Sequence, residues 1–312
     1  MRLYFVTDIH GSEVCFRKFL NSHQVYRPDV MIVGGDITGK VLVPLIGANG
    51  SRVAVTSHGE VPLEGREAIA AFERQIADTG SYTWRCTEEE YEEARGEERR
   101  VDEIFHQAVL DRVEHWMQLA DERLGDADVR VLVSGGNDDF WAVDEVLHAA
   151  RKVECPDGAV VDLGDDVRLL SLGLANRTPW DCPRDVSEEQ LHDRIEGLAA
   201  GLGDGTHVFN LHVPPHDSRI DLGPALDANN RPRLGMGGIE PAPVGSTAVR
   251  EAIERHQPVL SLHGHVHESR GTAKIGRTLA INPGSEYNQG LLRGAIVQLK
   301  RGKVKMHQLT AG

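Results

Sequence analysis

Leu3-Tyr4-Phe5-Val6-Thr7-Asp8-Ile9-His10-Gly11 is the stretch that decides the fold. Leu3 to Val6 reads as a short buried strand, and it runs directly into two side chains that can do chemistry, Asp8 and His10. Phe16, Phe19 and Leu20 then recur at helical spacing, which predicts a helix over 12–22. The unit repeats: Val30-Met31-Ile32-Val33 is a second buried strand, and it enters the glycine-bearing acidic turn Gly34-Gly35-Asp36-Ile37-Thr38-Gly39. Helix-covered strands with polar residues at their C-terminal ends predict a layered α/β architecture. In such folds ligands bind at the loops leaving the strands.

Composition narrows the function classes. The chain has 312 residues, enough for a sizeable core, with 34 basic and 48 acidic residues and a formal net charge of -14. That balance argues against a general nucleic-acid or anionic-membrane surface, which needs basic patches. Cys15, Cys86, Cys155 and Cys182 are scattered without a C-x-x-C pair, as expected of reduced thiols in a cytoplasmic protein. No apolar run approaches the ~18 residues of a membrane span, and the N-terminus enters a strand without a signal-peptide pattern.

Farther along, Val41-Leu42-Val43 and Val53-Ala54-Val55 flank Asn49-Gly50, the pattern of a hairpin. Residues 64–123 look mostly helical and strongly charged, with a capping box at Thr87 and Glu90. An apolar stripe of Val101, Ile104, Phe105, Ala108, Val109, Val113, Trp116 and Ala120 follows. This region reads as solvated helix with one face on the protein body; the alternative is a cap or dimer-forming insertion that shapes access to a site. Strand patterns resume at 128–133, 159–163, 167–172 and 208–211, and Ser187 with Gln190 opens another helix. Residues 213–245 carry no periodicity, and a loop of that length is usually functional or mobile. One domain, 1–312, with an insertion at about 41–127 explains the chain better than two linked domains.

Strand ends collect the chemistry. Asp8, His10, Asp36, Asn137, His212, His265 and His267 each lie beside a predicted strand. The last two come from Ser261-Leu262-His263-Gly264-His265-Val266-His267-Glu268. Two carboxylates, an amide oxygen and four imidazoles suffice for two metal sites if one carboxylate is shared. Mixed oxygen and nitrogen donors suit Mn, Fe or Zn better than Mg or Ca.

This set, D-x-H (Asp8, His10), G-D (Gly35, Asp36), G-N (Gly136, Asn137), a lone histidine (His212) and G-H-x-H (Gly264 to His267), closely resembles the calcineurin-like metallophosphoesterase superfamily. The resemblance spans the chain outside 41–127. It implies a four-layer α/β/β/α sandwich, here with a helical, acidic insertion, and a dinuclear metal centre that hydrolyses phosphate esters by attack of metal-bound hydroxide. By position, Asp8, His10, Asp36 and His267 would hold one metal. Asp36 would bridge to a second, held by Asn137, His212 and His265.

Two departures bear on activity. Many relatives carry histidine after the motif asparagine; here it is Asp138, which could donate a proton only if its pKa were raised. Gly39-Lys40 follows the G-D motif without the arginine of protein phosphatases, and the pattern looks closer to small phosphoesterases related to cyclic-nucleotide phosphodiesterases. His216, four residues after His212, is the other candidate catalytic residue. Lys40 and Arg177 read as surface charges, with phosphate contact as the alternative, and His263 as a supporting residue. The expected substrate is a small phosphodiester or phosphomonoester, with no membrane or nucleic-acid partner and a homodimer through the insertion as an option. A nuclease and a non-catalytic scaffold are the rival readings.

Overall fold

The computed structural model describes residues 1–235 and 237–312. Strand β1 (Arg2–Val6) and helix α1 (Glu13–Tyr26) lead to β2 (Val30–Gly34), which pairs in parallel with β1. Ser12 caps α1 by accepting the Cys15 N–H. The hairpin of β3 (Leu42–Ala48) and β4 (Ser51–Thr56) forms as its sequence predicts.

The next stretch, 64–123, is mostly helical as its charge pattern implies, with strands framing its first helix. Strand β5 (Gly59–Glu64) adds to the hairpin, α2 (Arg66–Asp78) follows, and β6 (Tyr82–Cys86) returns beside β3. Pro62 and the glutamates of β5 hide an edge strand, where proline and charge are tolerated. Helix α3 (Glu88–Arg95) opens on the expected capping box, and α4 (Glu98–Leu124) carries the stripe. Burial deepens along that stripe: Val101 is exposed, Phe105 and Ala108 pack half-buried against the core, and Val109, Val113, Trp116 and Ala120 are buried.

Strand β7 (Arg130–Ser134), α5 (Ala142–Ala149), β8 (Val153–Glu154), β9 (Ala159–Gly164) and β10 (Val167–Leu172) continue the chain. The short pair β11 (Ala175–Asn176) and β12 (Asp185–Val186) precedes α6 (Glu188–Ala199) and β13 (Thr206–Leu211). Within 213–245, expected to be irregular, two ribbons form: β14 (Leu222–Pro224) pairs with β17 (Pro241–Pro243), and β15 (Leu234–Gly235) with β16 (Gly238–Ile239). Helix α7 (Thr247–His256), β18 (Leu260–Leu262), β19 (Gly271–Ile275), β20 (Thr278–Asn282), β21 (Arg293–Leu299) and β22 (Val304–Ala311) complete it.

Two six-stranded sheets result, ordered β22-β21-β1-β2-β7-β8 and β19-β20-β18-β13-β10-β9. Strand alternation then assigns the layers. Leu3, Phe5, Ile32 and Leu132 of the first sheet meet Leu169, Val208, Leu260 and Ile281 of the second, so the sheets pack face to face. Tyr4, Val6, Met31 and Val33 point the other way, into α1, α4 and α5. On the far side Leu170, Leu172, Phe209 and Leu211 pack against α6 and α7. The molecule is therefore an α/β/β/α sandwich, and burial on both faces explains the continuous apolar runs of β1 and β2. Each large apolar side chain so buried contributes roughly 1.5–3 kcal/mol. Among the described residues no helix is long and apolar enough to cross a membrane.

Candidate metal centre

All seven strand-end donors meet at one end of the sandwich. Asp8, Asp36 and Asn137 follow β1, β2 and β7, while His212 follows β13, and His265 and His267 follow β18. Asp8, His10 and His267 form one group, and Asp36, His212 and His265 another. Asp36 joins them: its Oδ2 lies 3.7 Å from His10 Nε2 and its Oδ1 3.3 Å from His212 Nε2. Asp8 Oδ1 is 3.3 Å from His267 Nε2.

The backbone is bent to achieve this. Asp8, His10, Asp36 and His265 have φ of 52°, 38°, 48° and 65°, in the left-handed region that side-chain-bearing residues avoid. Each costs of order 1–3 kcal/mol and survives only where its surroundings enforce it. Here the two loops zip together, with Asp8 N donating to Gly35 O at 3.0 Å and His10 N to Asp36 O at 3.0 Å. Asp139, fully buried, clasps them from below: its carboxylate accepts the N–H groups of Ile37, Thr38 and Gly136 and the Thr38 hydroxyl. A Cβ on Gly136 would overlap the Asp36 carboxylate, and one on Gly264 would overlap that of Asp8, so only glycine admits these approaches.

Hydrogen bonds aim the donors inward. His10 Nδ1 lies 3.2 Å from Thr38 O and His212 Nδ1 3.1 Å from Gly34 O. A carbonyl can only accept, so both Nδ1 atoms donate and each Nε2 is turned to the site. Asn137 Nδ2 donates to Asp185 Oδ1 at 2.9 Å, which leaves the amide oxygen facing in, 2.9 Å from His265 Nδ1. His263 stands apart, donating through Nδ1 to the Leu211 carbonyl at 2.8 Å and bracing the strand end before His212.

Three observations fit a cation-binding centre. His10 Nε2 and His267 Nε2 face each other at 3.0 Å, which lone pairs tolerate only with a proton or cation between them. His212 Nε2 is buried with no aligned hydrogen-bond partner among the described residues. Ionisation agrees. Burial pushes the Asp8 carboxyl up, but His267, His212 and His10 outweigh it and hold Asp8 well below the usual carboxylate range. Burial brings His10 and His265 down to about 4, the neutral form that ligates metal. At His212 burial is outweighed by Asp36 and Asp8, which push it up to about 10, so a bound cation there would replace a proton.

The remaining candidates separate. Asp138 stays beside the cluster, its carboxylate within 4.8 Å of ligand atoms of His10 and Asp36, and it is ion-paired with Lys40 and accepts the Cys182 thiol at 2.9 Å. Burial raises its pKa, but Cys182 and Lys40 prevail and bring it to about 2, so it stands as a carboxylate rather than an acid. His216 is not brought to the cluster: its backbone N–H donates to Ser246 O, and it lines no part of the adjoining cavity. Arg177 is exposed at the cavity edge, and His58 is solvated. Sequence reasoning missed Asp139, Asp185 and Tyr287, whose ring packs 4.7 Å from His10 and 6.0 Å from His267. The D-D pair after the motif asparagine was the one available signal, for Asp139; the other two belong to no pattern.

A cavity of about 760 Å³ opens on the cluster, reaching Asp36, Asn137, His265 and His267. Lys40 and Arg177 supply its cations, and Trp180 lines it together with Pro224 and Pro243 of the β14–β17 ribbon. No residue of 41–127 lines it.

Fold and site together have the arrangement that the resemblance to calcineurin-like metallophosphoesterases implies, an α/β/β/α sandwich with the acid and histidine motifs at its strand ends. Two solved structures share that fold over the whole chain. One has a TM-score of 0.57 at 14% identity, over 98% of its own length. The other, TT1561 of Thermus thermophilus, has a TM-score of 0.54 at 11% identity over 97% of its length. In sequence, the uncharacterized protein MJ1162 of Methanocaldococcus jannaschii is 27% identical over 122 residues, covering 38% of this chain. That match spans 49%, about half, of MJ1162. No family model matches the chain.

Proposed function

We propose that the protein is a dinuclear metal-dependent phosphoesterase acting on a small phosphodiester or phosphomonoester. One observation carries the reading: seven donors from five strand ends converge, two ring nitrogens facing each other, on the floor of a ligand-sized cavity that also holds cations. Asp8, His10, Asp36 and His267 would hold one divalent ion, and Asp36, Asn137, His212 and His265 the other, with Mn, Fe or Zn suited to such donors. Bound there, two such ions supply Lewis acidity to a phosphoryl group and an activated water.

The chain's own residues define the rest. Lys40 leans over the floor, where its ammonium can meet a phosphoryl oxygen, and Asp138 holds it there. With Asp138 ionised, Cys182 raised to about 12 by burial and then by Asp138, and His216 away from the cavity, no ready proton donor faces a leaving group. The enzyme should therefore turn over esters of good leaving groups better than alkyl esters.

The test is a Mn-loaded screen of a bis-aryl phosphodiester, an aryl monophosphate, cyclic nucleotides and single-stranded nucleic acid, with Asp36→Ala as control. Aryl esters should be cleaved, and the substitution should abolish cleavage and reduce bound metal. Equal rates on aryl and alkyl esters would refute the missing-acid argument. Activity that survives Asp36→Ala would refute the bridging role. The scaffold reading requires lost ligands, and none is lost; a nuclease requires a basic track, which a chain of net charge -14 does not favour.

A further inference from the structure

The cavity outside the metal floor has two built walls that the proposed chemistry does not use. One is Trp180, 69% exposed although large and apolar, at the tip of the turn between β11 and β12. That turn is fixed at both shoulders by one carboxylate: Asp185 Oδ2 accepts the Thr178 N–H at 2.8 Å, the Thr178 hydroxyl at 2.5 Å and the Cys182 N–H at 3.2 Å. The other oxygen of Asp185 orients Asn137, so the tryptophan's turn and a metal donor are tied to the same group.

The other wall is the β14–β17 ribbon, which lines the same cavity through Pro224, Ala242 and Pro243, with Pro224 paired with Pro241 and Leu222 with Pro243. Prolines have fixed φ and no N–H to satisfy, so this wall is stiff and apolar. Its base is held by the fully buried Asp221, which accepts the N–H groups of Asp217, Ser218, Arg219 and Gly245. Between the walls the cavity's 760 Å³ matches a compact organic ligand, far more than a lone phosphate needs. An aromatic ring on a fixed turn offers a flat surface at little entropic cost.

We propose that this cavity selects a phosphodiester bearing at least one flat, largely apolar ester group, aryl or nucleoside, which lies on Trp180 while the phosphate meets the metal floor. The proposal rests on the phosphoesterase reading for the phosphate and on the walls for selectivity. Hydrolysis of such a substrate consumes one water: a P–O bond to water forms, one ester P–O bond breaks, and a phosphomonoester and an alcohol or phenol leave.

The experiment compares dimethyl phosphate with methyl phenyl phosphate as competitive inhibitors of bis-aryl phosphodiester cleavage by the Mn-loaded enzyme, using wild type, Trp180→Ala and Trp180→Phe. Wild type should bind the phenyl compound about tenfold more tightly, which an aromatic contact can supply. Trp180→Ala should erase that ratio with dimethyl phosphate affinity and metal content unchanged, and Trp180→Phe should restore most of it. Equal inhibition by the two compounds in wild type, or an unchanged ratio in Trp180→Ala, would overturn the proposal. If the reporter ester is not cleaved, calorimetric binding of the same two phosphates reads the selectivity directly. Retained phenyl preference there would overturn the catalytic reading alone.

Discussion

The cavity's floor and its walls are built on opposite plans. The floor consists of largely buried side chains at strand ends, four of them on left-handed backbone, with His10 and His212 aimed by hydrogen bonds to carbonyls and Asn137 by one to a carboxylate. The walls consist of an exposed tryptophan turn and a proline ribbon, with little chemistry of their own. What keeps the walls in place is a pair of carboxylates, Asp185 and Asp221, that collect backbone N–H groups. Cation binding demands donors fixed to tenths of an ångström, and sheet ends provide that; selectivity tolerates loops once they are clasped.

The largest test of this division is Asp185, which belongs to both halves. Asp185→Ala should free the Asn137 amide and the Trp180 turn together. Metal affinity should fall roughly 10–100-fold, the usual cost of losing a group that orients a ligand, and the phenyl preference should disappear with it. Asp221→Ala, which loosens only the ribbon, should leave metal affinity intact. Titration of Mn into both variants decides: equal metal affinity in the two would break the link between floor and wall.

Lys40 gives a smaller effect, on the boundary. Lys40→Ala should lower kcat/KM for the aryl diester by about tenfold, within the range of a charge-assisted hydrogen bond. Lys40→Arg should recover part of it, because a cation at the rim is what the phosphate meets. Bound metal should not change. A drop in metal content would move Lys40 from substrate contact to support of the floor.

The same division sets what the sequence could reveal. Asp8, His10, Asp36, Asn137, His212, His265 and His267 are legible because each follows an apolar run, so strand pattern and donor type reinforce each other. The sandwich follows from the same runs. Trp180, Asp185 and Asp221 sit in stretches without periodicity, and only tertiary pairing gives them partners. His216 shows the converse error, since proximity in sequence to His212 does not survive the turn at Pro214 and Pro215, after which its backbone pairs with Ser246. Strands β5 and β6 escaped notice because their sheet has its own small core, Val43, Leu45, Ala54, Leu63 and Ile69, too short to leave a pattern.

That separate core makes residues 41–127 the place for the smallest effect and a sharp contrast. Thr87 caps α3: its hydroxyl accepts the Glu90 N–H at 3.2 Å, and the Glu90 carboxylate accepts the Thr87 N–H at 2.7 Å. Thr87→Ala removes the first bond and should cost about 1 kcal/mol, as caps do. In a chain of this size that corresponds to a melting shift of about 2 °C. Because no residue of 41–127 lines the cavity, kcat/KM and the phenyl preference should stay at wild-type values. Residues 41–127 do touch the floor's outer side, where Arg112 donates to Gly11 O and the Gly39 N–H donates to the Tyr82 hydroxyl. A cap at α3 belongs to neither of those two bonds, so a fall in activity at unchanged metal content would mean that the whole of 41–127 moves with the site.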